Sequence, residues 1–329
     1  MSREFAFRWH ITDLCNLRCR HCYQERFDRE KDISIKEWEN IIFDIASSLK
    51  ESGYDSLSIN VTGGEPLISP LLFPILDILG DIPFIKEFNI ITNGILLKDS
   101  YWRLKSFRKL KYLKVSLESP EARINNEIRG DGNFEKVIDN LENVNTKDVI
   151  LMLTLAKYNY NELDRIYNLA KDLEIKGFIL ERFVPLGKGK EIQDKVLDPR
   201  EWYEVVSKVS SWLDMTPEDL ISYKAFFIDL EEDEIMGAIC NLGDEAMCLM
   251  PDASVYPCRR LPIALGNLKE ESFSSILLKL RDFREQFDKS QLKGRCYSCE
   301  IEDCIGCRAL SYALSGDVFK EDSQCWKTK

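Results

Sequence analysis

The cysteines of this chain are clumped, and their placement constrains its fold and chemistry more than any other feature. Three lie between Cys15 and Cys22, none follows until Cys240, and eight are spread from there to Cys325. The chain of 329 residues has 11 cysteines against 2 histidines. Disulfides are rare in reducing compartments, and clustered thiols in a chain of this length are typical of metal sites. The spacing therefore predicts metal centres near both ends of the chain.

Short β-rich runs alternate with amphipathic stretches from residue 5 to about residue 185. Such alternation predicts an α/β fold, with a parallel sheet and helices outside it. Six units fall short of the eight that close a TIM barrel, so we expect an open, partial (β/α)6 TIM-like barrel. In such folds, functional residues gather at the carboxyl ends of the strands. The predicted strands are Phe5–Thr12, Leu57–Thr62, Phe88–Thr92, Tyr112–Leu117, Val149–Leu155 and Phe178–Val184.

The pattern divides the chain into three parts. We expect the barrel at 1–190, a helical linker at 191–237 and a small cysteine-rich domain at 238–329, which metal helps to hold together. Residues 199–235 and Ser272–Phe287 are predicted to be helical, and His10 is predicted to be packed rather than catalytic. The Gly- and Lys-rich segment Pro185–Lys190 lacks the full phosphate-loop pattern, so it is predicted to be a solvated loop.

The first cysteine group follows the first predicted strand with the spacing Cys-x3-Cys-x2-Cys. Its members are Cys15, Cys19 and Cys22, and Tyr23 follows directly. Three thiolates can hold three irons of a [4Fe–4S] cluster and leave the fourth iron open to another ligand. The alternative is a zinc site completed by a histidine. It is disfavoured because a catalytic zinc takes imidazole or carboxylate ligands, and the chain has only two histidines.

This motif, placed after the first strand of a partial barrel, resembles that of the radical S-adenosylmethionine (SAM) enzymes. Four more segments resemble the family, in order and near strand ends. Each match is weak alone, but together they are specific, and the resemblance covers nearly the whole chain. They are Val61–Pro66 (Val-Thr-Gly-Gly-Glu-Pro), Ile91–Gly94, Val115–Glu118 and Arg129–Phe134.

The resemblance implies a site for SAM. Cys15, Cys19 and Cys22 would hold the catalytic cluster, and SAM would chelate its open iron. One electron then cleaves SAM to methionine and a 5′-deoxyadenosyl radical, which abstracts a substrate hydrogen. The resemblance assigns the methionine ammonium to the Gly-Gly-Glu segment, the adenine to Tyr23, the ribose to Ser116 and Glu118, and the SAM carboxylate to Arg129. The implied cofactor-binding residues are Tyr23, Gly63, Gly64, Glu65, Asn93, Ser116, Glu118 and Arg129.

The second cysteine group has the spacing Cys240-x7-Cys248-x9-Cys258, then Cys296-x2-Cys299-x4-Cys304-x2-Cys307-x17-Cys325. Spacing alone permits zinc-ribbon pairs. The pattern resembles the SPASM extension of radical SAM enzymes that mature peptides or cofactors, which carries auxiliary iron–sulfur clusters. The resemblance implies one auxiliary cluster on Cys240, Cys248, Cys258 and Cys307, and another on Cys296, Cys299, Cys304 and Cys325. With these, all 11 cysteines are assigned, and the chain would hold three [4Fe–4S] clusters.

Clusters with four thiolate ligands have no open iron, so we expect the auxiliary pair to relay electrons during a substrate oxidation. The leading hypothesis is a radical SAM oxidoreductase that modifies a peptide or protein side chain by crosslinking, thioether formation or desaturation. Arg259 follows Cys258 where the resemblance to sulfatase-maturing enzymes expects Asp, so formylglycine formation is disfavoured. One alternative is synthesis of a tetrapyrrole, as in the haem pathway, or of another small cofactor. Another is a zinc-held scaffold without enzymatic activity, which leaves the strand-end motifs unexplained.

The charge and hydrophobic pattern of the chain limit the classes of partner that it is expected to bind. The net charge of −11 weighs against a nucleic-acid or anionic-membrane surface. No apolar run approaches the roughly 18 residues of a membrane span, and no signal peptide is recognisable, so we expect a cytoplasmic protein. The barrel starts almost at residue 5, so leader-peptide binding would need a separate protein or another surface. The expected reductant is a flavodoxin or ferredoxin.

Overall fold

The computed structural model describes residues 3–212, 215–240, 242–243 and 245–327. The chain divides into two compact units. The first comprises Met1–Asn16, Arg26–Lys114 and Asn241–Gln286, and the second comprises Leu17–Glu25, Val115–Cys240 and Phe287–Lys329. The strands and α-helices, in chain order, are β1 (Glu4–His10), α1 (Ile35–Glu51), β2 (Ser56–Thr62), α2 (Leu72–Asp81), β3 (Ile85–Thr92), α3 (Leu97–Lys105), β4 (Leu110–Ser116), α4 (Ala122–Arg129), α5 (Asn133–Glu142), β5 (Val149–Leu155), α6 (Leu163–Asp172), β6 (Gly177–Arg182), α7 (Pro199–Ser211), β7 (Tyr223–Asp229), β8 (Glu234–Ile239), β9 (Ala246–Leu249), β10 (Ser254–Tyr256), β11 (Gly266–Asn267), α8 (Phe273–Glu285) and α9 (Arg308–Ser315).

In the first unit the strands lie in the order β11-β10-β9-β1-β2-β3-β4. The pairs β1–β2, β2–β3 and β1–β9 are parallel, and β10 is antiparallel to both of its neighbours. Trp9 pairs in register with Val61, and Val61 pairs with Ile90, so β1, β2 and β3 end at the same edge. The segments that follow these three strands are thereby brought together, as the sequence predicted.

Helix α1 covers one face of this sheet. Its N-terminus is fixed by a capping box in which the Ser34 and Glu37 side chains each bind the other's backbone N–H. The buried apolar side chains of α1 recur every three or four residues between Trp38 and Leu49, whereas Phe43 is exposed. Trp38 packs edge-on against Trp9 with the ring centroids 4.8 Å apart, and both side chains are fully buried. This contact anchors the helix over the strand that leads to the first cysteine.

In the second unit the strand order is β5-β6-β7-β8. β5 and β6 are parallel and end together, with Leu155 opposite Arg182. β7 is antiparallel to β6, and β8 is antiparallel to β7. Helix α7 starts at a capping box of Asp198 and Glu201, and its Trp202 stacks on Phe226 of β7 at 6.0 Å. The aromatic side chain of Phe226 thus joins the β7–β8 hairpin to α7.

All six predicted strands are present, with ends that differ by at most a few residues, and α8 matches the predicted helix at Ser272–Phe287. The prediction of a helical linker is wrong in its second half. Among the described residues of this segment, Pro199–Ser211 is the only α-helix, and Tyr223–Asp229 is a strand. The reason is that Tyr223–Asp229 is rich in aromatic and β-branched side chains and extends the sheet at β6, which outweighs its weak helical periodicity. Within the described ranges, no helix has both the length and the apolar character needed to cross a membrane.

Candidate active site

Two glycines at the end of β2 bring the backbone against the segment that leads to Cys15. Gly64 N–H donates to Thr12 O at 2.7 Å, and Glu65 N–H donates to Leu14 O at 2.8 Å. A Cβ at Gly63 would lie 2.7 Å from Thr12 O, and a Cβ at Gly64 would lie 2.6 Å from Asp13 O. Any side chain at these positions would push the segments apart. The predicted Gly-Gly pair therefore positions the start of the cysteine loop.

Glu65 is buried and fixes the ends of β2 and β3. Its carboxylate accepts from Leu67 N–H at 3.0 Å, from Thr92 Oγ1 at 2.7 Å and from Asn93 N–H at 2.7 Å. Asn93 Nδ2 in turn donates to Asn16 Oδ1 at 2.8 Å, next to Cys15. The structure thus gives Glu65 and Asn93 a positioning role. Their contact with SAM stays a prediction.

His10 lies at the end of β1 and is fully buried, as predicted. Arg259 Nε donates to His10 Nδ1 at 2.8 Å, and His10 Nε2 lies 3.3 Å from Asp13 Oδ1. Burial, with a smaller contribution from the Arg259 charge, lowers the pKa of His10 well below its usual value. A neutral His10 that accepts from Arg259 at Nδ1 carries its proton on Nε2, facing Asp13. Arg259, which directly follows Cys258, thus links this part of the chain to β1.

A buried ion pair lies beside the second cysteine of the loop in the second unit. The Glu118 carboxylate is fully buried and accepts from Arg129 Nε at 3.0 Å, from Arg129 Nη2 and from Thr154 N–H at 2.8 Å. Arg129 Nη1 lies 4.0 Å from Cys19 Sγ. Burial raises the pKa of the Cys19 thiol, and the Arg129 charge acts against that shift. Glu118 and Arg129 bind each other, and their predicted contacts with SAM stay predictions.

Two buried polar atoms near this pair have no hydrogen-bond partner among the described residues. They are His21 Nδ1 and Tyr158 Oη. Burial lowers the pKa of His21 to about 4, so its ring is neutral near pH 7. Burial, followed by the Glu118 charge, raises the pKa of Tyr158 well above its usual value. Unpaired buried polar groups are costly, and a polar ligand such as SAM beside Cys19 would satisfy them.

The segment Pro185–Lys190 was predicted to be a solvated loop, and this is wrong. Pro185, Leu186 and Gly189 are buried, and only Lys190 is exposed in this segment. Gly189 N–H donates to Cys22 O at 3.0 Å, and a Cβ at Gly187 would lie 2.5 Å from the Tyr23 backbone. The two glycines allow the segment to pack directly on the end of the cysteine loop. The Gly-x-Gly spacing a few residues after the end of β6 was the sequence signal of a close backbone approach.

Four predicted ligands of one auxiliary cluster meet around a cavity of about 270 Å³ in the second unit. Lys224, Arg295 and Asp322 also line it. No group of three or more His, Cys, Asp or Glu side chains in the described parts of the chain converges as a single-ion site would require. A [4Fe–4S] cluster distributes four thiolates over four irons, so ligands spread around a cavity suit it. The four cysteines are Cys296, Cys299, Cys304 and Cys325.

The remaining predicted ligands are divided between the units. Cys15, Cys248 and Cys258 belong to the first unit, and Cys19, Cys22, Cys240 and Cys307 belong to the second. Burial raises the pKa of the Cys248 thiol to about 12. Ser116, the last residue of β4, is half-buried. The ligand sets that include these cysteines, and the ribose contact of Ser116, stay predictions.

Comparison with known proteins defines the class. Residues 9–170 match the radical SAM superfamily, and residues 240–300 match the SPASM iron–sulfur cluster-binding domain. The chain therefore belongs to the radical SAM superfamily and carries a C-terminal SPASM domain. Membership implies SAM and [4Fe–4S] clusters as cofactors, and the cysteine-lined cavity fits such a cluster.

Three similar proteins illustrate the range of activities within the class. The AdoMet-dependent heme synthase of Methanosarcina barkeri is 28% identical, over 96% of this chain and 95% of its own length. The mycofactocin maturase MftC of Mycolicibacterium smegmatis is 24% identical, over 99% of this chain and 83% of its own length. The crystal structure of Streptococcus suis SuiB bound to precursor peptide SuiA aligns with a TM-score of 0.74 at 18% identity, over 99% of this chain and 77% of SuiB. The shared fold with SuiB confirms the predicted partial barrel with a SPASM domain.

Proposed function

We propose that this protein is a radical SAM oxidoreductase that removes two electrons from its substrate. The observation that carries the proposal is the cavity lined by Cys296, Cys299, Cys304 and Cys325. A cluster held by all four thiolates has no open iron for substrate and is suited to electron transfer. A hydrogen atom taken from the substrate removes one electron, and an auxiliary cluster accepts the second. The net reaction is an oxidation that consumes one SAM per turnover.

When bound, the SAM cluster supplies the electron that cleaves SAM to methionine and the hydrogen-abstracting 5′-deoxyadenosyl radical. The protein's part is to position the reactants and exclude water. Gly63 and Gly64 set the path of the chain into Cys15, and Glu65 locks the ends of β2 and β3 beside it. The Glu118–Arg129 pair supplies a fixed, buried set of charges next to Cys19.

The substrate class we propose is a peptide or protein side chain, modified by crosslinking, thioether formation or desaturation. The fold shared with a peptide-bound SuiB and the match to a mycofactocin maturase support it. A second candidate is a tetrapyrrole. It is favoured by the 28% identity to a heme synthase over nearly the full length of both chains. A flavodoxin or ferredoxin is the proposed reductant in both cases, with three [4Fe–4S] clusters in the protein.

The test is a substrate comparison under strictly anaerobic conditions. Reconstituted protein, SAM and a reducing system are incubated with peptides encoded beside its gene or with a haem-precursor porphyrin. Methionine, 5′-deoxyadenosine and the product mass are followed. A peptide that loses two hydrogen atoms, with one 5′-deoxyadenosine per event, supports the peptide function, whereas conversion of the porphyrin alone supports the second candidate. A product with unchanged oxidation level from either substrate contradicts the proposed oxidation.

A further inference from the structure

Cationic side chains approach two of the four thiols around the cavity in the second unit. Lys224 Nζ lies 3.4 Å from Cys304 Sγ, and Arg308 Nη2 lies 3.8 Å from Cys296 Sγ. Arg308 is fully buried, and its Nη1 is held by the carbonyls of Val318 and Lys320, at 2.8 Å each. Two of the four cysteines predicted to bind this cluster therefore each have a positively charged N–H donor directed at their sulfur atom.

Lys224 is the second residue of β7, and its ammonium is held at the cavity wall by Ile221 O at 3.3 Å. The carboxylate of Asp322 also lines the cavity and interacts electrostatically with Lys224. That carboxylate is already bound by Arg182 Nη1 at 2.7 Å and by Cys307 N–H at 2.9 Å. Because Arg182 balances Asp322, the charge of Lys224 remains available to the thiolates.

The physical consequence follows from the charge of a thiolate-bound cluster. Four thiolates give a [4Fe–4S] cluster a net negative charge, which grows by one unit on reduction. Hydrogen bonds to the sulfurs and nearby positive charge stabilise the reduced form more than the oxidised form. A cluster next to Lys224 and Arg308 is therefore easier to reduce than the same cluster without them.

We propose that Lys224 is a positioning residue that raises the reduction potential of the cluster bound by Cys296, Cys299, Cys304 and Cys325, and so makes it an electron acceptor in the substrate oxidation. The proposal rests on the proposed function, because it requires this auxiliary cluster. In the step concerned, the substrate radical loses one electron to the cluster and one proton to water as the new bond forms. The reduced cluster then passes this electron to the oxidised form of a flavodoxin- or ferredoxin-type protein.

The test is a redox titration of the full, reconstituted chain, followed by electron paramagnetic resonance. Lys224→Gln removes the charge and keeps a polar side chain, while Lys224→Arg keeps the charge and the N–H donors. The matched control is Lys293→Gln. Lys293 pairs with Asp317 at 2.6 Å, is mostly exposed and does not line the cavity. Iron is counted in every sample before titration.

We expect Lys224→Gln to retain its iron and to shift one reduction step to a more negative potential, leaving the other steps unchanged. Lys224→Arg should restore most of that shift, and Lys293→Gln should titrate like the wild-type protein. If Lys224→Gln keeps the wild-type iron content and none of its reduction potentials shifts, the proposed role of Lys224 is overturned and the proposed function still stands. Loss of about four irons in Lys224→Gln alone makes Lys224 a structural residue and also overturns the proposal. A wild-type protein without auxiliary iron overturns both proposals.

Discussion

Replacement of Arg182 by Met tests a deeply buried ion pair of the second unit. Arg182 and Asp322 are 2% and 1% exposed, and Nη1 and Oδ2 are 2.7 Å apart. Removing one partner of such a pair leaves the other as an uncompensated buried charge, at a cost of about 3–5 kcal/mol. Asp322 would keep the N–H groups of Cys307 and Gln324, at 2.9 and 3.0 Å. We therefore expect the lower end of this range, about 3 kcal/mol.

The guanidinium of Arg182 also lies 4.3 Å from the ring centroid of Trp202. Methionine retains a sulfur–aromatic contact there, so most of this packing is preserved and the lost charge dominates. At about 2 °C per kcal/mol for a chain of this size, the melting temperature should fall by roughly 6 °C. The assay is an anaerobic thermal scan at one heating rate, on samples with equal iron content.

The matched control is the same substitution at an exposed pair, Arg200→Met. Arg200 is 89% exposed and lies 3.4 Å from Glu204, so the expected loss is below about 1 kcal/mol. The double variant Arg182→Met with Asp322→Asn removes both charges, and its loss should be smaller than the sum of the single losses. A melting temperature for Arg182→Met within about 1 °C of wild type, or strictly additive losses, would refute the assigned role of this pair.

Three further outcomes are expected. Gly64→Ala should abolish SAM binding in equilibrium dialysis, because its Cβ would lie 2.6 Å from Asp13 O. The control Gly80→Ala has nothing within 4 Å of its Cβ and should bind SAM normally. Equal SAM binding by the two variants would contradict the positioning role of Gly64. In Glu65→Gln, the amide NH2 would face groups that are themselves donors, including Asn93 N–H. This variant should therefore bind SAM more weakly and melt at a lower temperature. Wild-type values for both measurements would contradict the role of Glu65. Anaerobic removal of iron by a chelator should lower the melting temperature, since cluster binding stabilises the fold, and an unchanged value would argue against metal-held structure.

The predicted strands and their order followed from local patterns, because buried parallel strands leave apolar runs bounded by polar turns. The strand-end motifs could be placed for the same reason. The β7–β8 hairpin was missed because Tyr223–Asp229 is ambiguous in periodicity, and its strand form depends on the edge of β6. Short segments of this kind are decided by tertiary pairing rather than by propensity.

The side-chain partners inside the site were beyond the reach of the sequence. Arg182 and Asp322 are 140 positions apart, and Lys224 and Cys304 are 80 apart. Residues this far apart produce no local sequence pattern that indicates their contact. A charged residue is also more often on the surface than buried, so a sequence gives little reason to place one inside. The contact of Glu65 with SAM, implied by the family resemblance, stays a prediction, and the hydrogen bonds of Glu65 to Thr92 and Asn93 could not be read from the sequence.

The most direct test of the central claim is the iron and zinc content per chain after anaerobic purification and reconstitution. An oxidoreductase with a SAM cluster and two auxiliary clusters should hold about twelve irons and no zinc. About four irons together with zinc would contradict the auxiliary clusters and the proposed electron relay. A chain that holds no iron after careful reconstitution would contradict the radical SAM mechanism itself.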